Sequence, residues 1–217
     1  AFDRHALARL RERKRRPAKP FAVMARDLSV VRRFCRVPDA AADLLCSMER
    51  PIVILDALPD AVRREGLPLD AITPDGQTLG VMLPTSPLHE LLFRPAEPDA
   101  GPVFDLLVMT SGNEHGGPIC IGNDEARRRL AGIADAFLLH DREVVLRNDD
   151  SVCTIRREEP QIWRRARGFA PRPLAPAAPL RRVTLAMGAE IKNTVALGYD
   201  NRIVISPHIG DLETPEA

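Results

Sequence analysis

The amino-acid sequence predicts a mixed α/β (α+β) fold, in which helices pack on a twisted mixed sheet. Apolar runs of strand length alternate with amphipathic helical stretches through most of the 217 residues, a pattern typical of α/β and α+β domains. After a proline-rich segment at 171–179, the remaining segments are all strand-like. About 35 residues cannot bury a core alone. We therefore expect one mixed domain followed by the first strands of another.

The N-terminal part of the sequence predicts three helices and two strands. The helical stretches place apolar residues on one face, and two compact apolar runs have the length of buried strands. Residues 57–77 are rich in proline, aspartate and glycine, which predicts a surface excursion. The helices are predicted at 6–13, 28–35 and 40–48, and the strands at 20–25 and 51–55.

The middle part predicts two further helices among five strands. Asn123 can cap the second helix, whose first turn carries Asp124 and Glu125, because carboxylates are favoured at a helix N-terminus. The helices are predicted at 87–93 and 123–130. The strands are predicted at 78–83, 104–109, 136–139, 151–156 and 161–165.

The C-terminal part predicts a domain boundary. The prolines at 171–179 are typical of an interdomain linker. Beyond them, residues 199–201 predict a hairpin turn within a set of strands at 183–187, 193–198 and 202–206. We place a first domain at 1–175, a linker at 176–182, and the incomplete start of a second domain at 183–217.

Charge and composition exclude several classes of protein. There are 31 basic and 30 acidic residues, whereas a general nucleic-acid binder carries a basic excess. No apolar run is long enough to span a membrane. The four cysteines lack metal-site or C-x-x-C spacing, so we expect no metal site, reduced thiols and a cytoplasmic location. Because the sequence lacks both an initiator methionine and a signal peptide, we expect a fragment of a longer chain.

The first candidate site is a cationic cluster ahead of the first strand. Only three of the 31 basic residues are lysines, and two of them, Lys14 and Lys19, flank Arg16 in this cluster. An isolated charge run is usually a solvated helix end. These cations, however, precede an apolar strand, where lysine point charges and arginine forks could neutralise a polyphosphate or an acyl phosphate.

The second and third candidates lie at the ends of later strands. Thr110, Ser111 and Asn113 follow an apolar run, and their hydroxyls, amide and backbone N–H groups could bind phosphate oxygens; a plain glycine turn is the alternative. Asp149, Asp150 and Ser151 precede a strand that is followed by Arg165 and Arg167. The aspartates could bind magnesium or a ribose, or could cap a turn. Residues at neighbouring strand ends could bring the three groups together.

Other reactive side chains give weaker signals. His89 lies on a short predicted helix and could be a catalytic residue or a histidine at the core edge. Cys120 follows the glycine-rich turn, and we assign it no nucleophilic role. Neither a Walker A motif nor a G-x-G-x-x-G motif occurs, so any nucleotide is bound by another scheme.

Taken together and in order, the motifs resemble those of HypF, the carbamoyltransferase family of nickel–iron hydrogenase maturation. Singly each motif is weak, whereas the ordered set is specific and covers essentially the whole chain. The segments that carry the resemblance are 13–24, 80–89, 110–113, 140–142, 149–152, 164–171 and 188–194.

The resemblance implies a fold and a reaction. It implies a YrdC-like domain with a positively charged nucleotide cavity, followed by the first strands of an ASKHA-type, O-sialoglycoprotease-like domain. In this family an acylphosphatase domain cleaves carbamoyl phosphate, and ATP with magnesium activates the carbamate as carbamoyl-adenylate. The carbamoyl group then passes to the C-terminal cysteine of HypE. Zinc belongs to family modules that this sequence lacks.

The resemblance also implies roles for particular residues. Lys14, Arg16 and Lys19 match the family's cationic positions around the ATP phosphates and the acyl group. Among the nucleotide-binding candidates, Ser111 and Asn113 match the Ser-x-Asn of YrdC-like proteins. Arg165 and Arg167 are weaker matches. Thr110 and Ser151 complete the predicted nucleotide-binding set. No side-chain nucleophile is required, because the carbamate oxygen itself attacks the α-phosphate.

Three other functions remain open. Threonylcarbamoyl-AMP synthase shares the YrdC-like domain, but that family commonly has alanine where Gly112 stands and lacks the 188–194 segment. Antibiotic-pathway O-carbamoyltransferases place the two domains in reverse order. An RNA-binding module could use the arginine-rich helix. Against it stand the neutral net charge and an aromatic content of only 4%, so we expect no nucleic-acid partner.

Overall fold

A computed structural model describes residues 1–74, 76–94, 104–189 and 193–209, and these divide into two compact units. The first unit contains residues up to Thr110 together with Val152–Trp163. The second contains residues 111–151 together with the described residues from 164 onward. Helices and sheets occur together, so the predicted mixed α/β class is confirmed. The predicted domain boundaries at 175 and 183 stay predictions.

A six-stranded mixed sheet organises the first unit. Its strand order is β4-β1-β3-β2-β5-β6. β1 is parallel to β3 and β2 is parallel to β5, whereas β1 with β4 and β2 with β3 are antiparallel. The strands are β1 (Ala22–Ala25), β2 (Ile52–Asp56), β3 (Thr78–Met82), β4 (Leu106–Met109), β5 (Val152–Arg156) and β6 (Glu159–Arg164).

One face of this sheet is covered by helices. The larger buried cluster combines Val23, Val53 and Val81 of the strands with apolar residues from five helices. A smaller cluster of Met24, Met82 and Phe93 lies apart from it, and strand alternation puts these two methionines on the opposite face. The helices of this unit are α1 (Arg4–Arg13), α2 (Leu28–Phe34), α3 (Asp39–Cys46), α4 (Pro59–Glu65), α5 (Leu69–Ile72) and α6 (Pro87–Phe93).

Side-chain caps set where several helices begin. The carboxylate of Asp3 accepts hydrogen bonds from the backbone N–H groups of His5 and Ala6, so α1 begins at Arg4 rather than at residue 6. Asp27 caps α2 through the N–H of Val30, and Ser86 caps α6. Such oxygens satisfy N–H groups that have no partner within the helix.

Two predictions of local structure were wrong. The surface excursion at 57–77 instead contains α4 and α5, whose Val62, Leu69 and Ile72 are buried in the larger cluster. Its proline and glycine mark the two ends of a helix. Pro59 is the first residue of α4, and Gly66 is its C-terminal cap in the left-handed conformation. The strand predicted at 136–139 does not form. That run is apolar, but it pairs with no other strand in the described chain.

The second unit contains one helix and a three-stranded antiparallel sheet, and its predicted hairpin at 199–201 is confirmed, since Tyr199 pairs with Arg202. The proline-rich segment lies against this sheet, where Leu174 exchanges two backbone hydrogen bonds with Ile203. The elements are α7 (Asn123–Arg129), β7 (Thr184–Met187), β8 (Val195–Tyr199) and β9 (Arg202–Ile205). Residues 190–192, including Lys192, lie outside the described residues.

No helix among the described residues combines the length and the apolar character that a membrane span requires.

Candidate functional site

The cationic loop, defined as residues 14–20, connects the end of α1 to the start of β1. Lys14 is the C-terminal cap of α1 and is 4% exposed, whereas Lys19 is exposed. A lysine at a helix C-terminus is favoured by the helix dipole. An ammonium group is rarely buried unless it is paired or hydrogen-bonded, so the burial of Lys14 marks a site that the fold builds around it.

Arg16 of the cationic loop is turned toward its own backbone. Its Nε donates to the carbonyl of Lys19 at 3.2 Å, and its Nη2 donates to the carbonyl of Pro20. Its guanidinium lies 5.2 Å from the ring centroid of Phe21. These contacts shape the loop, and a direct contact between Arg16 and phosphate stays a prediction.

The sequence analysis missed Arg11, whose guanidinium is hydrogen-bonded to this loop. Arg11 lies on α1 and donates to the carbonyls of Arg16 and Lys19, as well as to two carbonyls of α5. A signal was available in the sequence, since Arg11 stands close before the Arg13–Lys14 cluster. Only the fold reveals that its donors face backbone oxygens.

Strand register places the cationic loop and Thr110 at one edge of the sheet. Ala22 of β1 pairs with Met109 of antiparallel β4. The cationic loop therefore enters the sheet where β4 ends and Thr110 follows. The Oγ1 atom of Thr110 is buried and has no hydrogen-bond partner, and an unsatisfied buried hydroxyl is uncommon.

Small residues line the sheet face opposite the larger core cluster, next to this edge. Ala22 and Gly80 are register partners on β1 and β3, and both are half-buried. A Cβ added at Gly80 would lie 3.2 Å from the Cγ2 of Ile52 and 3.9 Å from the Cα of Ala22. The side chain of Ile52 therefore packs against the position where Gly80 lacks a Cβ, and a glycine suits this close packing.

The amide turn, defined as residues 110–117, is held by the side chain of Asn113. The Oγ of Ser111 donates to the Oδ1 of Asn113 at 2.7 Å, and the Nδ2 of Asn113 donates to the carbonyl of Gly117 at 2.7 Å. Gly116 has φ +72°, a value that favours glycine. The turn is thus ordered by its own side chains, as a preformed backbone anion site requires.

The third predicted group starts from the other end of the strands. β5 is parallel to β2 with Val152 beside Ile52, and β2 is antiparallel to β3. The start of β5 therefore lies at the edge where β1 and β3 end, and not where β1 begins. β1 and β5 run in opposite directions, and the convergence of the three groups stays a prediction.

The hydroxyl of Ser151 forms hydrogen bonds that connect residues of this third group. The side chain is fully buried, donates to the carbonyl of Arg167 and accepts from the N–H of Ala166, both at 2.8 Å. Arg167 pairs with the carboxylate of Asp150 at 2.9 Å. The hydroxyl thus holds the 166–167 backbone against the start of β5, and its contact with nucleotide stays a prediction.

Arg165 donates hydrogen bonds to backbone carbonyls of the same unit. It donates to the carbonyls of Phe169 at 2.7 Å and Arg172 at 2.6 Å, and more weakly to that of Ile205 at 3.4 Å. Desolvation lowers the pKa of its guanidinium, and the nearby charge of Arg172 adds to this. Its Nε is buried without a partner, and its contact with a nucleotide stays a prediction.

His89 and Cys120 offer little reactive chemistry in this arrangement. The Nδ1 of His89 lies 3.0 Å from the Oγ1 of Thr85. It also accepts a hydrogen bond of 3.4 Å from the backbone N–H of Thr85. This contact holds the turn before α6. Burial raises the pKa of the Cys120 thiol, with a further contribution from Glu125, which reduces its reactive thiolate form.

Carboxylate, histidine and cysteine side chains do not gather into groups of three suited to a metal ion within the described ranges. Mg²⁺ commonly binds through one or two carboxylates plus the phosphates of its substrate. Magnesium binding by this chain stays a prediction.

Two family models match the chain. The Sua5/YciO/YrdC model, described as "Telomere recombination", matches residues 1–166. The HypF Kae1-like domain model matches residues 180–217. Among curated proteins, the chain is 45% identical to carbamoyltransferase HypF2 of Cupriavidus necator over 98% of this chain, and 40% identical to carbamoyltransferase HypF of Synechocystis over 99%. It spans 27% and 26% of those two proteins, about a quarter of their length.

Solved structures give the same result. A crystal structure of full-length HypF in the phosphate- and nucleotide-bound form matches with a TM-score of 0.87 and 42% identity, over 100% of this chain and 27% of that one. HypF of T. kodakarensis matches with a TM-score of 0.85 and 35% identity, over 100% and 26%. Sua5 of P. abyssi, at 19% identity and a TM-score of 0.60 over 76% and 46%, shares the fold.

Proposed function

The chain belongs to the Sua5/YciO/YrdC family, whose model matches residues 1–166, and we propose that it is part of a HypF-type carbamoyltransferase, binds ATP and activates a carbamoyl group. The observation that carries this proposal is the sheet edge where the cationic loop enters β1 beside the end of β4. A HypF structure 42% identical to this chain holds phosphate and nucleotide, which supports the same chemistry here.

The proposed reaction begins with carbamate released from carbamoyl phosphate. A carbamate oxygen attacks the α-phosphorus of ATP, the bond to the bridging oxygen breaks, and pyrophosphate leaves with that electron pair. Lys14 and Lys19 stabilise the charge on the departing pyrophosphate, and the amide turn binds other parts of the nucleotide. Positioned cations of this kind act without reorganising in the transition state.

Magnesium would supply further charge neutralisation on the phosphates. The chain's own contribution is to hold the phosphates by Lys14 and Lys19.

The carbamoyl-adenylate would then pass its carbamoyl group to the C-terminal cysteine of HypE, in the synthesis of cyanide ligands for nickel–iron hydrogenase. The thiolate attacks the carbamoyl carbon and AMP leaves. The match of residues 180–217 to the HypF Kae1-like domain supports a transfer step after activation.

ATP–pyrophosphate exchange tests this function in a full-length family member that contains the chain. We expect exchange with carbamoyl phosphate and magnesium. Exchange supported only by threonine and bicarbonate would contradict the proposal and favour a threonylcarbamoyl-AMP synthase.

Lys14→Met tests the cationic loop within the same assay, since methionine keeps much of the buried stem. Loss of one preorganised charge should lower the exchange rate by about 100-fold or more. Arg32→Met is a matched control because Arg32 is exposed on α2. Equal rates in the two variants would show that Lys14 has no part in the reaction.

A further inference from the structure

Arg11 lies on α1, and its side chain contacts both α5 and the cationic loop. We propose that Arg11 is a positioning residue, which fixes the path of the cationic loop and thereby the places of Lys14 and Lys19. Its effect on turnover rests on the proposed function, whereas its effect on the loop does not.

The hydrogen bonds of Arg11 connect three parts of the chain. Its Nη1 donates to the carbonyls of Arg16 at 2.9 Å and Lys19 at 3.1 Å, which lie on the loop. Its Nε and Nη2 donate to the carbonyls of Ala71 and Ile72, both at 2.9 Å, at the end of α5. One guanidinium therefore sets the distance between the loop and α5.

The ring of Phe21 completes the arrangement. Phe21 is 1% exposed, its N–H donates to the carbonyl of Ile72, and the guanidinium carbon of Arg11 lies 4.5 Å from its ring centroid. Arg16 also lies near this ring, at 5.2 Å. A guanidinium beside an aromatic ring gains a cation–π attraction, so Phe21 fixes the Arg11 side chain as well as the start of β1.

Arg11 keeps an uncompensated positive charge beside the loop. The hydrogen bonds of Arg11 go to carbonyl oxygens, and no ion pair joins it to a carboxylate of the described residues. Desolvation lowers the pKa of its guanidinium, yet arginine stays protonated in proteins. Its charge therefore adds to the field that a polyphosphate would meet at this edge.

Lysine cannot reproduce this geometry. The planar guanidinium directs donors toward carbonyls on two sides at once, whereas an ammonium group is a single point with no face to lie on a ring. Arg11→Lys keeps the charge and loses the planar set of donors, whereas Arg11→Met loses both. The two variants therefore separate positioning from charge alone.

Arg4 supplies a matched control on the same helix. It pairs with Asp70 of α5 through two bonds of 2.7 and 2.9 Å, and both side chains are exposed. Arg4→Met thus removes an arginine that joins α1 to α5 without touching the loop. A role of Arg11 limited to joining these helices would give similar results for the two methionine variants.

Hydrogen exchange of residues 14–21 measures the loop directly in the full-length protein. The backbone N–H groups of Arg16 and Phe21 are hydrogen-bonded, and we expect roughly tenfold faster exchange in Arg11→Met, a factor that one lost charged hydrogen bond can produce. Arg11→Lys should be intermediate and Arg4→Met unchanged. The segment 39–46 is the internal reference, since global destabilisation would accelerate both. Equal acceleration of both segments, or unchanged exchange at 14–21, would overturn the proposal.

ATP–pyrophosphate exchange then measures the consequence. A destabilised enzyme loses active molecules, which lowers kcat and leaves KM unchanged. A misplaced loop instead raises KM for ATP, which we expect about tenfold in Arg11→Met. An unchanged KM for ATP, together with faster hydrogen exchange of the loop, would show that the loop does not bind ATP. Absence of exchange activity in the wild type would count against the proposed function alone.

Discussion

At the scale of single residues, polar side chains of the predicted site hold backbone atoms in place. Arg11, Arg16 and Arg165 donate to carbonyl groups, and Ser151 bonds to backbone atoms on both sides of its hydroxyl. Arginine suits this work because its donors reach several oxygens from one fixed plane. Lysine lacks that geometry. Direct contact of Lys14 and Lys19 with phosphate stays a prediction.

Asp27 gives a prediction on the pH dependence of stability. The hydroxyl of Ser29 donates to its carboxylate, the N–H of Val30 and Arg26 also donate, and these bonds lower the pKa of Asp27 from 3.8 to about 2. A carboxyl group whose pKa is lower in the folded state stabilises the protein above its unfolded pKa. That stabilisation is lost as pH falls through the folded value.

The comparison of wild type with Asp27→Asn checks this effect, because asparagine retains a capping oxygen without the charge. The wild type should have the larger free energy of unfolding at pH 6, by less than about 1 kcal/mol since the side chain is half exposed. The difference should shrink as pH falls from about 5 toward 2. Guanidinium unfolding at several pH values measures it, and a difference independent of pH would contradict the prediction.

At the scale of elements, the ends of α1 and α4 determine where the chain goes next. Arg15 adopts φ +47° after α1 and turns the chain into the cationic loop. Gly66 adopts φ +71° after α4, where its N–H donates to the carbonyl of Arg63. Non-glycine residues rarely adopt this conformation, so the end of α4 depends on glycine.

Gly66→Ala should lower the free energy of unfolding by about 1 kcal/mol, because the added Cβ is strained at this φ although no atom lies within 4 Å of it. Gly132→Ala is the control. That site is also open, and its φ lies outside the left-handed region. Thermal or guanidinium unfolding compares the two. Equal stability of both variants would show that the left-handed turn is not under strain.

The periodicity of apolar residues predicted most helices and strands correctly. It failed where the surrounding tertiary structure determines the local structure. Helices α2, α3 and α6 and the β1–β3 strands follow apolar spacing that a single sequence displays, whereas α7 was predicted from the polar residues at its N-terminus. The proline and glycine around α4 predicted a loop because helix ends and loops share those residues. The site depended on strand direction, which periodicity does not specify. The opposite directions of β1 and β5, for example, are revealed only by the strand pairing.

At the scale of the whole molecule, position matters more than net charge. The formal net charge is only +1, yet Arg11, Arg13, Lys14 and Arg16 lie in one short stretch that leads to the edge of the sheet. A compact cationic region attracts a polyphosphate even when the protein as a whole is nearly neutral. The range of that attraction is limited by salt, because the Debye length falls from about 30 Å at 0.01 M to about 10 Å at 0.1 M.

Lys19→Gln and Arg32→Gln make the same change in net charge at two places, both exposed. KM for ATP in the exchange assay should rise with salt in the wild type, because screening weakens the attraction to the cationic loop. Lys19→Gln should begin from a higher KM and rise less steeply, since one of the screened charges is gone. Arg32→Gln should follow the wild type throughout. Parallel salt curves for the two variants would mean that ATP responds to the net charge of the molecule, and the cationic loop would lose its assignment as the phosphate-binding segment.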